Sequence, residues 1–143
     1  MEAKAYLEKV SKLDKLIANK LKEIEQWKSI AEGTSISSNA DRVQTSVSLH
    51  KMEDAVIRIV DLENETREMI DSYIAMKQDV ISVIESLSDA TLYDILHKRY
   101  IQGIPLTEVS IMLDLSWEST KRKHKKALRL VQEILNERYS NKC

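Results

Sequence analysis

Six cationic residues lie within nine positions near the carboxyl end of this sequence, and their side chains are of the types that bind phosphate. They are Lys121, Arg122, Lys123, Lys125, Lys126 and Arg129. The excess is local, because residues 87 to 143 carry 10 Lys and Arg against 7 Asp and Glu, whereas residues 1 to 86 carry 12 against 16. Cations concentrated on one surface attract a polyanion more strongly than scattered ones. A phosphate-bearing partner is the first expectation.

These cations have a helical spacing that separates them from apolar residues. At about 100° per residue, one side of the helix carries Thr120, His124, Ala127, Leu128, Val131 and Leu135. The opposite side carries Lys121, Arg122, Lys125, Lys126 and Arg129. Such a helix can dock on a protein core with one side and enter the major groove of DNA with the other.

The preceding residues predict how this helix is positioned. Pro105 favours the first turn of a short helix over residues 106 to 113, whose apolar face is Leu106, Val109 and Leu113. Asp114 and Leu115 predict a tight turn, and Ser116 is a typical N-cap. We therefore predict a helix-turn-helix with residues 116 to 131 as the recognition helix.

The candidate contacts to DNA are the exposed residues of this helix. The first turns are expected near base edges and the later cations near phosphates. Two of these residues have an alternative role: Trp117 could pack on the preceding helix, and Glu118 could be a favourable charge at a helix N-terminus. His124 fits the edge of the core better than a phosphate contact. The predicted DNA-binding residues are Trp117, Glu118, Lys121, Arg122, Lys125, Lys126 and Arg129.

Two long amphipathic helices are predicted upstream, so the fold class is all-α. The first spans residues 3 to 31, a polar loop covers 33 to 46, and the second runs from near Met52 to Leu87 with Val56 and Glu63 at seam positions. An antiparallel, coiled-coil-like hairpin over 1 to 87, serving as spacer or oligomerisation arm, would precede a DNA-binding domain over 88 to 143. A further helix is expected over 90 to 102, with Gly103 as its C-cap.

Several classes of function are not expected. The carboxylates lack a nucleophile motif or a Gly-rich loop, so the chain is not predicted to be an enzyme, and no cofactor is expected. His50 and His97 lack partners at metal-ligand spacing. There is neither an apolar run of about 20 residues nor an apolar signal core, and Cys143 has no cysteine to pair with. We therefore expect a cytoplasmic protein without membrane contact.

Residues from about 87 to 135 resemble region 4 of bacterial sigma factors, which reads the promoter −35 element. The matching positions are Leu106-x-Glu108-Val109, Leu113-Asp114-Leu115-Ser116 and Ala127-Leu128. With its long N-terminal helices, the whole chain resembles the ArpU/RinA type of phage transcriptional regulators. Two positions depart from the pattern: Ser110 stands where Ala or Gly is usual, and Thr120 where a β-branched aliphatic is usual.

The resemblance implies a phage or prophage regulator that activates late operons. Double-stranded DNA would be its partner, host RNA polymerase a second candidate partner, and a homo-oligomer, most simply a dimer, its working form. No segment resembles the sigma domains that melt the −10 element. Two other classes stay open: a small terminase-like DNA-packaging adaptor, and a module that contacts polymerase rather than DNA.

Overall fold

The prediction of an all-α protein is confirmed. The computed structural model describes residues 2–36 and 45–142, and every regular element within these ranges is helical. The elements are α1 (Ala3–Ile36), α2 (Thr45–Glu85), α3 (Ala90–Leu96) with a following π-helical turn (His97–Ile101), α4 (Leu106–Met112) and α5 (Trp117–Asn141).

The two long helices extend further than the sequence predicted. Helix α1 continues through Ile36 and α2 begins at Thr45, so residues 33–36 and 45–46 of the predicted loop are helical. Ser, Thr and Gly each cost a helix about 1 kcal/mol or less, which neighbouring helical turns can outweigh. The rest of the predicted loop, residues 37–44, lies outside the described residues.

Residues Asp14–Ser72 form one compact unit, in which parts of α1 and α2 pack as an antiparallel pair. The direction follows from two ion pairs, since Lys20 meets Glu65 at 3.4 Å and Lys28 meets Glu63 at 3.7 Å. Between the helices lie the buried side chains of this unit: Ile17, Ile24, Ala55, Leu62 and Thr66. The Thr66 hydroxyl donates to the Leu62 carbonyl oxygen at 2.6 Å, so its burial leaves no hydroxyl without a partner.

Two predicted seam positions of α2, Val56 and Glu63, are wrong in this unit. Ala55 and Leu62 are buried, whereas Val56 is 50% exposed and Glu63 bonds Lys28 at the rim. On α1, Leu21 continues the helical spacing of the buried Ile17 and Ile24 but is 48% exposed. The cause is that α2 carries two apolar stripes side by side, and periodicity alone does not say which of them meets α1.

A second compact unit comprises Met1–Leu13 and Tyr73–Cys143. Its core joins the start of α1 and the end of α2 to α3 and α5: Tyr6, Leu7, Val10, Val80, Val83, Ile84, Leu92, Leu96, Tyr100, Ala127 and Val131. The predicted domain boundary at residue 87 therefore differs from the boundary of this unit, because both long helices contribute side chains to the core beneath α5.

A polar cluster in this second unit joins residues distant in sequence. Asp79 accepts a hydrogen bond from the Tyr6 hydroxyl and two from the Arg138 guanidinium, at 3.0 and 3.1 Å. Burial works against ionisation of Asp79, but the hydrogen bonds from Tyr6 and Arg138 outweigh it and hold the pKa of this carboxyl below its usual value. The last turns of α5 are thereby fastened to α2.

Candidate nucleic-acid interface

A short turn joins α4 to α5 and sets where the basic helix begins. Asp114 has φ 54°, in the left-handed region, where a short polar side chain is better tolerated than most. The backbone N–H of Leu115 donates to the Ser110 carbonyl oxygen at 2.9 Å and that of Asp114 to the Ile111 carbonyl oxygen at 3.1 Å. These bonds use carbonyl groups that the end of α4 would leave unpaired. The helix, turn and helix lie at the predicted positions.

Ser116 caps α5 as predicted. It has extended backbone angles, and its hydroxyl oxygen accepts a hydrogen bond from the Ser119 backbone N–H at 3.1 Å. Helix α5 itself runs from Trp117 to Asn141, ten residues beyond the predicted end at 131. Its later turns carry Ile134 and Leu135, which pack on the core of the unit.

Removal of this cap gives a first testable expectation. The Ser116→Ala variant should lose about 1 kcal/mol of unfolding free energy, because the Ser119 N–H loses its acceptor. Urea denaturation followed by circular dichroism measures the difference. Ser116→Asp is the matched control, since aspartate also caps helices, and it should stay close to the natural chain. Equal losses in both variants would show that the cap contributes nothing.

The inner side of α5 is buried against α3 and α4. Thr120, Ala127 and Val131 are fully buried, as is Val109 on α4. The two positions that depart from the sigma-like pattern are both accommodated. The Thr120 hydroxyl donates to the Ser116 carbonyl oxygen at 2.9 Å, and the Ser110 hydroxyl donates to the Thr107 carbonyl oxygen at 2.6 Å. Each buried hydroxyl is satisfied within its own helix.

The outer side of α5 presents the predicted cations to solvent. Arg122, Lys125, Lys126 and Arg129 are all exposed. Within residues 2–36 and 45–142, no hydrogen-bond or ion-pair partner is found for Arg122, Lys125 or Arg129. The seven residue steps from Arg122 to Arg129 cover about 10 Å along the helix axis, which is comparable to the width of a major groove. We call Arg122, Lys125, Lys126 and Arg129 the cationic face.

The remaining three predicted contacts form a cluster of their own at the start of α5. Lys121 Nζ lies 3.1 Å from a Glu118 carboxylate oxygen and 5.5 Å from the centroid of the Trp117 ring. The charge of Lys121 is thus shared with a carboxylate and an aromatic face. Trp117 is 41% exposed, so its indole covers Lys121 rather than filling the core. The helical spacing grouped Lys121 with the exposed cations and did not predict its pairing with Glu118.

The carboxylate of Asp89 interacts with the charges of Lys123 and Lys126, which the sequence did not predict. Asp89 is the N-cap of α3 and accepts hydrogen bonds from the backbone N–H groups of Thr91 and Leu92, at 2.9 and 3.2 Å. The bond from Leu92 is the main reason that the pKa of this carboxyl lies below its usual value, and the charges of Lys123 and Lys126 add to it. An Asp just before a helix is a typical N-cap, but the sequence does not indicate that this carboxylate lies near the cations of α5.

His124 lies at the edge of the core, as the sequence predicted. Its Nε2 atom and the Tyr100 hydroxyl share a hydrogen bond of 2.7 Å, and the two rings stack with centroids 5.7 Å apart. Burial lowers the pKa of His124 below 6.5, and the nearby charges of Arg99 and Lys4 lower it further. Burial likewise raises the pKa of Tyr100 to about 12. Burial and these charges thereby favour the neutral form of the His124 ring.

This histidine predicts a pH dependence of stability. Because the pKa of His124 is lower in the folded chain than in the unfolded one, the unfolded chain binds more protons below about pH 6.5. The unfolding free energy should therefore decrease as the pH falls from 7.5 to 5.5. His124→Gln should decrease less over the same interval, as judged by urea midpoints at both pH values. His50 and His97 are present in both chains, so identical pH dependence would contradict this role of His124.

No protein-family model, no curated protein and no solved structure matches the chain. No helix in the described part of the chain has the length and apolar character needed to cross a membrane. Over the same residues, no group of three or more His, Cys, Asp or Glu side chains could hold a metal ion. Cys143 lies outside the described residues.

Proposed function

We propose that this chain is a sequence-specific DNA-binding transcriptional regulator of the phage ArpU/RinA type, in which α5 reads the major groove. One observation carries the proposal: Arg122, Lys125 and Arg129 are exposed and have no partner among the residues that the structure describes, while the opposite side of the same helix is fully buried at Thr120, Ala127 and Val131. Exposed cations on a helix that is fixed from beneath can bind phosphate with little loss of helix mobility.

The roles within this interface follow from position along α5. Lys125, Lys126 and Arg129 would contact phosphates, and Arg122, one turn closer to the start of the helix, would contact a base edge. Arginine binds the two acceptors of guanine with a pair of hydrogen bonds, which makes it the candidate for reading sequence. Glu118 lies on the same side of the helix and is exposed, so it would keep phosphates away from the base-reading end.

Selection from a pool of random duplexes tests the proposal. The purified chain should enrich a short motif over successive rounds, whereas Arg122→Ala should bind duplex DNA with a weaker base preference. A discriminating Arg contact is worth about 1 to 3 kcal/mol per base pair, so enrichment at one position should fall by about 5- to 150-fold. Unchanged enrichment by the variant would show that Arg122 does not read DNA in this way.

Polymerase contact is a separate part of the proposal. The resemblance to sigma region 4 suggests that host RNA polymerase is recruited or assisted once DNA is bound. Transcription with purified polymerase from a template carrying the selected motif tests it directly. An increase in transcripts that depends on the motif would support activation, and a decrease would make the chain a repressor.

A further inference from the structure

The outer side of α4 carries apolar and acidic side chains, in contrast to the cationic face of α5. At about 100° per residue, Glu108, Ile111 and Met112 fall within an arc of about 100°. The opposite side of α4 holds the buried Val109 and Ser110. Ile111 is 79% exposed and Met112 is 55% exposed, although both are large apolar side chains. We call Glu108, Ile111 and Met112 the α4 face.

The charges along α4 and the turn after it are negative. Residues 100 to 120 contain three carboxylates and neither Lys nor Arg. One of the three, Glu118, is neutralised by Lys121 at 3.1 Å. The other two, Glu108 and Asp114, are exposed, and their side chains have no hydrogen-bond or ion-pair partner in the described part of the chain. Exposed apolar side chains thus lie beside two carboxylates that no cation neutralises within this part.

These two properties determine which kind of molecule fits the α4 face. Carboxylates repel phosphates, so the duplex that we place on the cationic face is not the expected occupant. A protein segment with apolar side chains beside Lys or Arg would cover Ile111 and Met112 and pair its cations with Glu108 and Asp114. Exposed apolar side chains rimmed by polar residues commonly mark such a contact.

We propose that the α4 face binds a protein segment that carries apolar side chains beside Lys or Arg, while α5 holds the duplex. The inference rests on the proposed function, in which RNA polymerase is the protein partner, so polymerase is the probe. Because the inner side of α4 is buried at Val109 and Ser110, the partner would meet a helix that loses little mobility on binding. Two sides of one helix-turn-helix would then contact protein and DNA.

Transcription with purified polymerase tests the apolar part of this contact. Ile111→Ser combined with Met112→Ser should lower activation from a template with the selected motif by about fivefold or more, because a few residues carry most of the energy of a protein contact. The chain is added at a concentration that saturates the template. Fluorescence anisotropy should show that the double variant binds the duplex within about twofold of the natural chain.

The matched control removes two exposed apolar side chains from another helix. Val56 and Ile57 of α2 are exposed by 50 and 60%, and Val56→Ser combined with Ile57→Ser should keep the natural activation. Equal losses in the two double variants, or full activation by the α4 variant, would overturn the proposal.

The charge of Glu108 is tested separately. Glu108→Lys should lower activation by about fivefold or more, because it places a cation against the cations of the partner. Glu108→Asp keeps the charge and should stay within about twofold of the natural chain. Activation that does not respond to Glu108→Lys, or that Glu108→Asp lowers as much, would contradict the charge pairing.

Photo-cross-linking identifies the molecule that lies against the α4 face, whatever the transcriptional response. With p-benzoylphenylalanine in place of Met112, the chain should cross-link to a polymerase subunit, and with the same group in place of the exposed Lys15 on α1 it should not. Mass spectrometry should locate the link in a segment with Lys or Arg beside apolar residues. A link to the duplex or to an acidic segment, or no link from position 112, would overturn the proposal.

The inference and the proposed function can fail separately, since the cross-link is measured with and without duplex. A chain that selects a DNA motif but does not cross-link from position 112 would keep DNA binding and lose the α4 contact. A chain that selects no motif but cross-links to polymerase from position 112 would keep the α4 contact and lose the DNA-binding regulator.

Discussion

Replacing Lys125 and Arg129 together by alanine is expected to weaken binding to every duplex by on the order of 50-fold at 0.1 M salt. Each phosphate that is neutralised contributes about 0.9 to the slope of log K against log salt, so the slope should become less steep by about 1.8. Both side chains are exposed and have no partner within residues 2–36 and 45–142, so the fold should be unaffected. Fluorescence anisotropy over a salt series, on a selected duplex and a random one, measures both quantities.

The control for this variant removes the same charge elsewhere. Lys12→Ala with Lys15→Ala also deletes two exposed cations, but from α1. If binding depends on the cationic face, this control should keep the natural slope and nearly the natural affinity. An equal loss in both double variants would mean that net charge alone governs DNA binding.

Leu96→Ala is expected to lower the unfolding free energy of the chain by about 2 to 5 kcal/mol. Leu96 is fully buried in the core that also contains Tyr100, Ala127 and Val131, and truncation would leave a cavity where α3 meets the rest of this core. With an m-value of about 1 to 3 kcal/mol per molar urea, the urea midpoint should fall by roughly 0.7 M or more. Denaturation followed by circular dichroism gives the value.

Ile111→Ala is the matched control for that substitution. It removes the same number of carbon atoms from a side chain that is 79% exposed, so its effect should stay within about 0.5 kcal/mol. Comparable losses for Leu96→Ala and Ile111→Ala would mean that the core described for this unit does not stabilise it.

The basic helix was predictable because two periodic signals coincide in it. Apolar residues at 127, 128 and 131 and cations at 122, 125 and 129 repeat with the same helical period on opposite sides. Ser116 added a start signal that is local in sequence, and the structure has the helix beginning at Trp117. A helical period and an N-cap depend on residues within a single helix, so they can be predicted without knowing which other elements the helix contacts.

The sequence did not predict which of two neighbouring apolar residues is buried, or which residue a given lysine contacts. Val56 and Ala55 both fit an apolar stripe, and only contact with α1 decides that Ala55 is buried. By helical spacing Lys121 lies beside the exposed cations of α5, but it forms an ion pair with Glu118. The π-helical turn His97–Ile101, in which the Gln102 N–H reaches the His97 carbonyl oxygen at 3.0 Å, has no signal in composition or period.

The contacts that the two long helices make with the rest of the fold also could not be predicted from patterns within each helix. Tyr6 and Asp79 are 73 positions apart, and their hydrogen bond depends on how the two helices pair. A division of the chain at residue 87 follows from the break in helical pattern there. One core contains Leu7 of α1, Ile84 of α2 and Leu92 of α3. The periodicity of each helix predicts which of its sides is buried, but not that these three helices share a core.

Lysine footprinting tests most directly whether the cationic face is the DNA-binding surface. The chain is reductively methylated alone and with a saturating duplex, and modification of each lysine is measured by mass spectrometry. The account predicts that Lys125 and Lys126 are protected by the duplex, while the exposed Lys12 and Lys15 on α1 react as before. Equal modification of all four lysines with and without duplex would contradict it.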